Sequence, residues 1–155
     1  MLHKKSNQKI NNQLSPDVSM RKNAPCVLLA EDDYDMRKLL ALSLRKYGYE
    51  VIECTDGLQL LDYLYLGSFS SPEKTGAFNL IISDIRMPGF TGLEVLEGWH
   101  QYEACPPMVL ITAFGDEEIH AQAYKYGAAA IFDKPFDIDD LLAKVQEIVP
   151  PSLPV

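Results

Sequence analysis

The stretch Leu80-Ile81-Ile82-Ser83-Asp84-Ile85-Arg86-Met87-Pro88-Gly89 decides the fold. Its opening is apolar without alternation, and too short for a helix buried all round. Such a run is what a strand covered on both faces requires. It ends on a carboxylate and runs through a Pro-Gly turn into Val95, Leu96 and Trp99, which recur at helical spacing. One strand, one turn and one helix make a βα unit. The strand is predicted over 79–83, with Asp84 at its carboxyl end.

The same unit recurs outward in both directions. Further strands are predicted over 26–30, 50–54, 108–112 and 129–132. Helical stripes follow each: Met36, Leu39, Leu40 and Tyr47; Leu58, Leu61 and Leu64; Ile119, Ala123 and Tyr126; and Ile138, Leu141, Leu142, Val145, Ile148 and Val149. Asp56 stands where a helix cap belongs, and Gly48 and Gly127 where helices stop. Five βα units in series predict an α/β fold. It is a (βα)5, doubly wound, flavodoxin-like five-stranded parallel sheet with right-handed crossovers and helices on both faces. Residues 67–78 (GSFSSPEKTGAF) read as a surface loop.

The chain of 155 residues suits one domain, expected over 25–149. Residues 1–24 are polar and aperiodic and read as a flexible tail, with Met20 as a second candidate start; 150–155 (PPSLPV) is a Pro-rich end. No apolar run suits a bilayer or a signal peptide, which predicts a cytoplasmic protein with no membrane association. Three cysteines, none in a C-x-x-C pair, read as reduced, with Cys26 and Cys54 buried. Net charge is −8, of which the tail holds +4 (Lys4, Lys5, Lys9, Arg21 and Lys22 against Asp17), leaving −12 on the body. An acidic body argues against direct nucleic-acid binding and suits a metal cation or a basic partner.

In an open parallel sheet, ligands gather beyond the carboxyl ends of the strands. Glu31, Asp32 and Asp33 follow the first strand, Asp84 ends the third, Thr112 the fourth, and Lys134-Pro135 follows the fifth. Converging carboxylates repel, and a divalent cation relieves that; oxygen donors in a wet site suit Mg²⁺, with Mn²⁺ as its substitute. A carboxylate beside the cation can attack a phosphoryl group. An ammonium and a hydroxyl then meet the charge on the phosphoryl oxygens. Taken singly, each group has a plainer reading as solvated helix start, turn residue, cap or surface lysine. Four at the ends of four strands are harder to dismiss.

On these residues the chain resembles the receiver domains of two-component response regulators. The resembling stretches are VLLAEDDYDMRKLL (27–40), LIISDIRMPGFTGLEVL (80–96), VLITAFGD (109–116) and IFDKPF (131–136), in order and across about 25–149. The resemblance, chemotaxis regulators included, implies that Asp84 is the phosphoacceptor. It implies that Asp32, Asp84 and the Arg86 backbone carbonyl bind Mg²⁺, with Glu31 acting through water. Thr112 and Lys134 would meet the phosphoryl group, small Ala113 would leave it accessible, and the bond before Pro135 would be cis. Arg86 and Phe114 would tune phosphoryl lifetime, bulky Phe114 lengthening it by hindering water.

The resemblance further implies a sensor histidine kinase or histidine phosphotransfer protein as partner, facing the start of the first helix at Tyr34, Asp35, Arg37 and Lys38. It leaves open a homodimer through the fourth helix, fifth strand and fifth helix. The protein would be a signalling phosphoacceptor and not an enzyme, with only self-phosphorylation from a donor and autodephosphorylation. One departure stands out. Ile131 holds the switch position where the family usually carries Tyr or Phe, and Phe132 must face the other side of the sheet. Thr91 replaces a common acidic residue, as a helix cap. Three alternatives are weighed: an aspartyl-phosphate phosphatase, which wants an Asp where Arg86 stands; a flavin electron carrier, whose hydroxyl-rich first loop is acidic here; and an inactive, binding-only receiver.

Overall fold

The computed structural model describes residues 24–69, 78–102, 105–113 and 115–151. The chain alternates β1 (Cys26–Ala30), α1 (Tyr34–Lys46), β2 (Glu50–Cys54), α2 (Gly57–Phe69), β3 (Leu80–Asp84), α3 (Gly92–Trp99), β4 (Met108–Thr112), α4 (Glu117–Lys125), β5 (Ala130–Asp133) and α5 (Ile138–Ile148). All strand pairs are parallel, in the order β2-β1-β3-β4-β5. The expected tail at 1–24 and the Pro-rich end at 150–155 fall almost wholly outside the described residues. So does most of the expected loop at 67–78, whose first three residues instead complete α2.

Side-chain alternation divides the core in two. Leu28, Ala30, Ile81, Met108 and Leu110 pack with Leu60, Leu64, Val95, Leu96 and Ala123, so α2, α3 and α4 cover one face. Val27, Leu29, Leu80, Ile82, Val109 and Ile111 pack with Leu40, Ala41, Leu44, Leu141, Leu142 and Val145, so α1 and α5 cover the other. β1, β3 and β4 are buried along their whole length, which is why they read as unbroken apolar runs.

Two helical stripes are phased differently from expectation. In α1 the buried face is Arg37, Leu40, Ala41 and Leu44, while Leu39 and Tyr47 are exposed. In α2 it is Leu60 and Leu64, with Leu58 facing water. Both helices hold several apolar residues outside the buried face, so spacing alone does not fix the phase. The caps follow the sequence. Asp56 accepts from Gln59 N at 2.8 Å, and Thr91 and Glu94 form a reciprocal capping box. Cys26 and Cys54 are buried free thiols, and burial pushes the Cys54 thiol up to about 12. Among the described residues no helix is long and apolar enough to cross a membrane.

One close approach fixes the loop after β3. A Cβ on Gly57, at the start of α2, would lie 1.9 Å from the Phe90 carbonyl oxygen, and Gly57 N donates to Pro88 O at 3.2 Å. Backbone cannot swing aside as a side-chain tip can. Gly57→Ala is expected to cost about 2 kcal/mol or more by overpacking, read by urea denaturation. A loss below about 0.5 kcal/mol, the level of an ordinary surface change, would contradict this contact.

Candidate functional site

Each site residue is delivered by the backbone pattern beneath it. β1 ends at Ala30, and the next amide, Glu31 N, still bonds across to Cys54 O at 3.1 Å. This keeps Glu31 in the sheet's shadow, fully buried, while Asp32 turns into solvent. Asp33 then caps α1, its Oδ1 accepting from Met36 N at 2.8 Å. Asp84 is the last residue of β3 and is 4% exposed. Its Oδ1 accepts from Arg86 N at 2.9 Å, which aims the carboxylate and turns the chain. Thr112 closes β4, buried, and its carbonyl accepts from Lys134 N at 2.7 Å. The Lys134–Pro135 bond is cis.

These elements converge. Lys134 Nζ donates to Asp84 Oδ2 and to Glu31 Oε1, each at 2.7 Å. Glu31, Asp32 and Asp84 each bring an oxygen to within 4.8 Å of the others. Buried Glu31 Oε2 has no hydrogen-bond donor. Burial, then the neighbouring Asp84 carboxyl, pushes Glu31 up to about 8, with Lys134 pulling the other way. Burial alone would lower the Lys134 ammonium, but its bonds to Asp84 and Glu31 outweigh that and hold it above the usual lysine value.

This donor set fits a small hard cation. It is all oxygen, half of it open to water through Asp32, with one buried carboxylate oxygen unsatisfied. Once Glu31 gives up its proton, three carboxylates against one ammonium leave a charge that a divalent ion would balance. Arg86 is exposed. Ala113 is exposed, next to Thr112 in the chain. Phe114 lies outside the described residues. Ile131 is half-buried and packs on the face covered by α2, α3 and α4, while Phe132 packs on the opposite face against Phe136. The alternation argument thus holds, and at Ile131 this face of β5 carries an aliphatic side chain.

The sequence reading missed three supports and misplaced one residue. Arg37, expected on the exposed start of α1, is 8% exposed and donates from Nη1 to the Glu31 carbonyl at 2.9 Å. Its Nε also faces Glu53 Oε1 at 3.4 Å. Arginine follows Glu31 by six residues, and nothing in that spacing marks it as buried. Gly92 presses on the back of the site: a Cβ there would lie 2.5 Å from the Asp84 carbonyl oxygen. His120 Nε2 meets Asp133 Oδ1 at 2.9 Å beside Thr112.

Comparison with known proteins agrees with this geometry. The model of the family described as "Response regulator receiver domain" matches residues 27–146. Sporulation initiation phosphotransferase F of Bacillus subtilis is 29% identical over 124 residues, covering 80% of this chain and 93% of that protein. The C4-dicarboxylate transport transcriptional regulatory protein DctD of Pseudomonas aeruginosa is 35% identical over 120 residues, 77% of this chain but 24% of that longer protein. Among solved structures, the chemotaxis response regulator CheY4 of Vibrio cholerae superposes with a TM-score of 0.67 at 26% identity, covering 81% of this chain and 98% of that one. The chain belongs to the response regulator receiver domain family, and it is a phospho-accepting signalling domain of the two-component type.

Proposed function

We propose that Asp84 is the phosphoacceptor, loaded in an Mg²⁺-dependent reaction from a sensor histidine kinase or a histidine phosphotransfer protein. The observation that carries this reading is the double contact of Lys134 Nζ, at 2.7 Å to both Asp84 and Glu31. An ammonium so placed stands ready beside the nucleophile, where negative charge gathers during transfer. Asp32, Asp84 and the Arg86 carbonyl would hold Mg²⁺, with Glu31 acting through water; the bound ion supplies charge neutralisation between nucleophile and phosphoryl oxygens.

An Asp84 carboxylate oxygen attacks phosphorus, the bond from phosphorus to the donor's histidine nitrogen breaks, and the imidazole takes up the electron pair. Thr112 donates to the transferred group, Ala113 leaves room for it, and Arg86 and Phe114 tune its lifetime. The protein acts in the cytoplasm as a phosphoacceptor rather than as an enzyme on a further substrate. The Bacillus relative, matched over 93% of its length and named a phosphotransferase, supports a relay role.

The test is chemical mapping. The protein is incubated with acetyl phosphate and Mg²⁺, reduced with borohydride, digested and weighed. Homoserine at Asp84 is expected; reduction at another carboxylate, or none, would overturn the assignment.

The raised Glu31 adds a pH prediction. A carboxyl held above its unfolded value stabilises the fold when protonated. That contribution is full below about pH 4.5 and is lost as pH rises through about 8. Mg²⁺ must displace the same proton, so its apparent affinity is expected to rise by up to about tenfold per pH unit toward pH 8 and then level off. Calorimetric titration at pH 6, 7 and 8 checks this; a flat profile would count against the buried, protonated Glu31.

A further inference from the structure

The geometry points to His120 and Asp133 as a positioning pair that holds Gly115, just ahead of α4, in its resting place and so governs how readily Thr112 joins phosphoryl transfer. This rests on the reading above that Thr112 serves the phosphoryl group on Asp84.

The two residues tie α4 to the end of β5. His120 Nε2 lies 2.9 Å from Asp133 Oδ1, across 13 residues of chain. The carboxylate accepts, and the imidazole donates from Nε2–H. Asp133 is the register partner of Thr112 across the β4–β5 ladder and directly precedes Lys134, whose N–H donates to Thr112 O at 2.7 Å. One end of the bridge is therefore built onto the strand that presents the ammonium.

Gly115 shows how closely the loop is held. A Cβ built on it would lie 2.1 Å from Asp133 Oδ1, and 2.7 Å from both His120 Nε2 and Thr112 Cγ2. Gly115, the bridge and the Thr112 methyl pack with no room for one more carbon. A Thr112 side chain that turns toward a phosphoryl group on Asp84 gives up that packing, and a shift of Gly115 presses on the His120–Asp133 bond. Among the described residues the bridge is a polar link from α4 to the end of β5, where Ile131 carries no aromatic ring. A bond made in the resting arrangement and strained in the reactive one lowers the population of the reactive one. The pair is partly open to water, with side chains 30% and 52% exposed, so the effect is modest.

The experiment compares the full chain with His120→Ala, Asp133→Ala, the double variant and His120→Gln. Two quantities are read: the rate of Asp84 labelling by acetyl phosphate with Mg²⁺, and the affinity for beryllofluoride. Each single alanine variant is expected to label about three-fold faster and bind about three-fold tighter, the equilibrium worth of one weak hydrogen bond. The double variant should go no further, since both changes cut one bond. His120→Gln, whose amide N–H reaches the same oxygen, should return to the wild-type values. A merely structural role predicts slower labelling and weaker binding with no rescue by Gln, and that result, unchanged rates, or additive singles would overturn the proposal. Normal labelling of the wild type with no difference among variants sinks this inference alone. A wild type unlabelled at Asp84 sinks the reading beneath it and this inference together.

Discussion

Asp84→Asn is expected to abolish labelling by acetyl phosphate, to below about 1% of the wild type, while leaving the fold intact. An amide oxygen is far too weak a nucleophile to displace a phosphoryl leaving group, and no neighbouring group stands in for it. Glu31 is fully buried and already bonded to Lys134, and Asp32 points to solvent. Stability should change little because opposing effects meet at this side chain. The Arg86 N–H keeps an oxygen acceptor. Asn Nδ2 then faces the Lys134 ammonium in place of Asp84 Oδ2, a donor against a donor, which is unfavourable. Against that, one of the converging negative charges is gone. The two effects are each of about 1–3 kcal/mol and opposite in sign. Circular dichroism and a melting curve close to wild type, together with absent label, are the expected pair of results. Label retained at wild-type stoichiometry would refute Asp84 as acceptor.

Lys134→Ala is expected to separate metal binding from reaction. Removing the ammonium takes away the positive group nearest the Asp84 and Glu31 oxygens, so labelling should fall by about 10²–10³-fold, the worth of one preorganised electrostatic partner. Mg²⁺ should nevertheless bind more tightly, because the cation then meets the carboxylates with no competing positive charge. Glu31 loses the partner that pulls its pKa down, so protons are released more strongly as the ion enters. A damaged fold would weaken both properties together. Calorimetry for Mg²⁺ beside labelling kinetics tells the two apart. Lys134→Arg should recover only part of the rate, since a planar guanidinium does not present a point charge at the same place.

The architecture was legible because burial on both faces writes itself into composition. β1, β3 and β4 are fully buried, and their apolar runs have no other economical reading. The edges of elements were less legible. β3 reaches Asp84 and β5 runs from Ala130 to Asp133, each displaced by one residue from the pattern, because a polar residue at a strand end hides its membership of the ladder. The convergence of Glu31, Asp84 and Lys134 follows from strand ends alone, since a parallel sheet brings all carboxyl ends to one rim. Arg37 reads as surface because its charge gives no hint of the Glu31 carbonyl that accepts from it or of the Glu53 carboxylate paired with it. Close approaches such as Gly57 on Phe90 and Gly92 on Asp84 depend on distances between elements, which a linear pattern does not carry.

The contact between Lys134 and Glu31 joins residues 103 apart in the chain, and β5 sits at the edge of the sheet, beside β4 only. Four of the five strands precede β5, which leads directly into Lys134. A chain folding from its N-terminus therefore brings Glu31 and Asp84 to the rim before it brings Lys134. The last βα unit completes the site, because until β5 is in place the two carboxylates lack the ammonium that spans them.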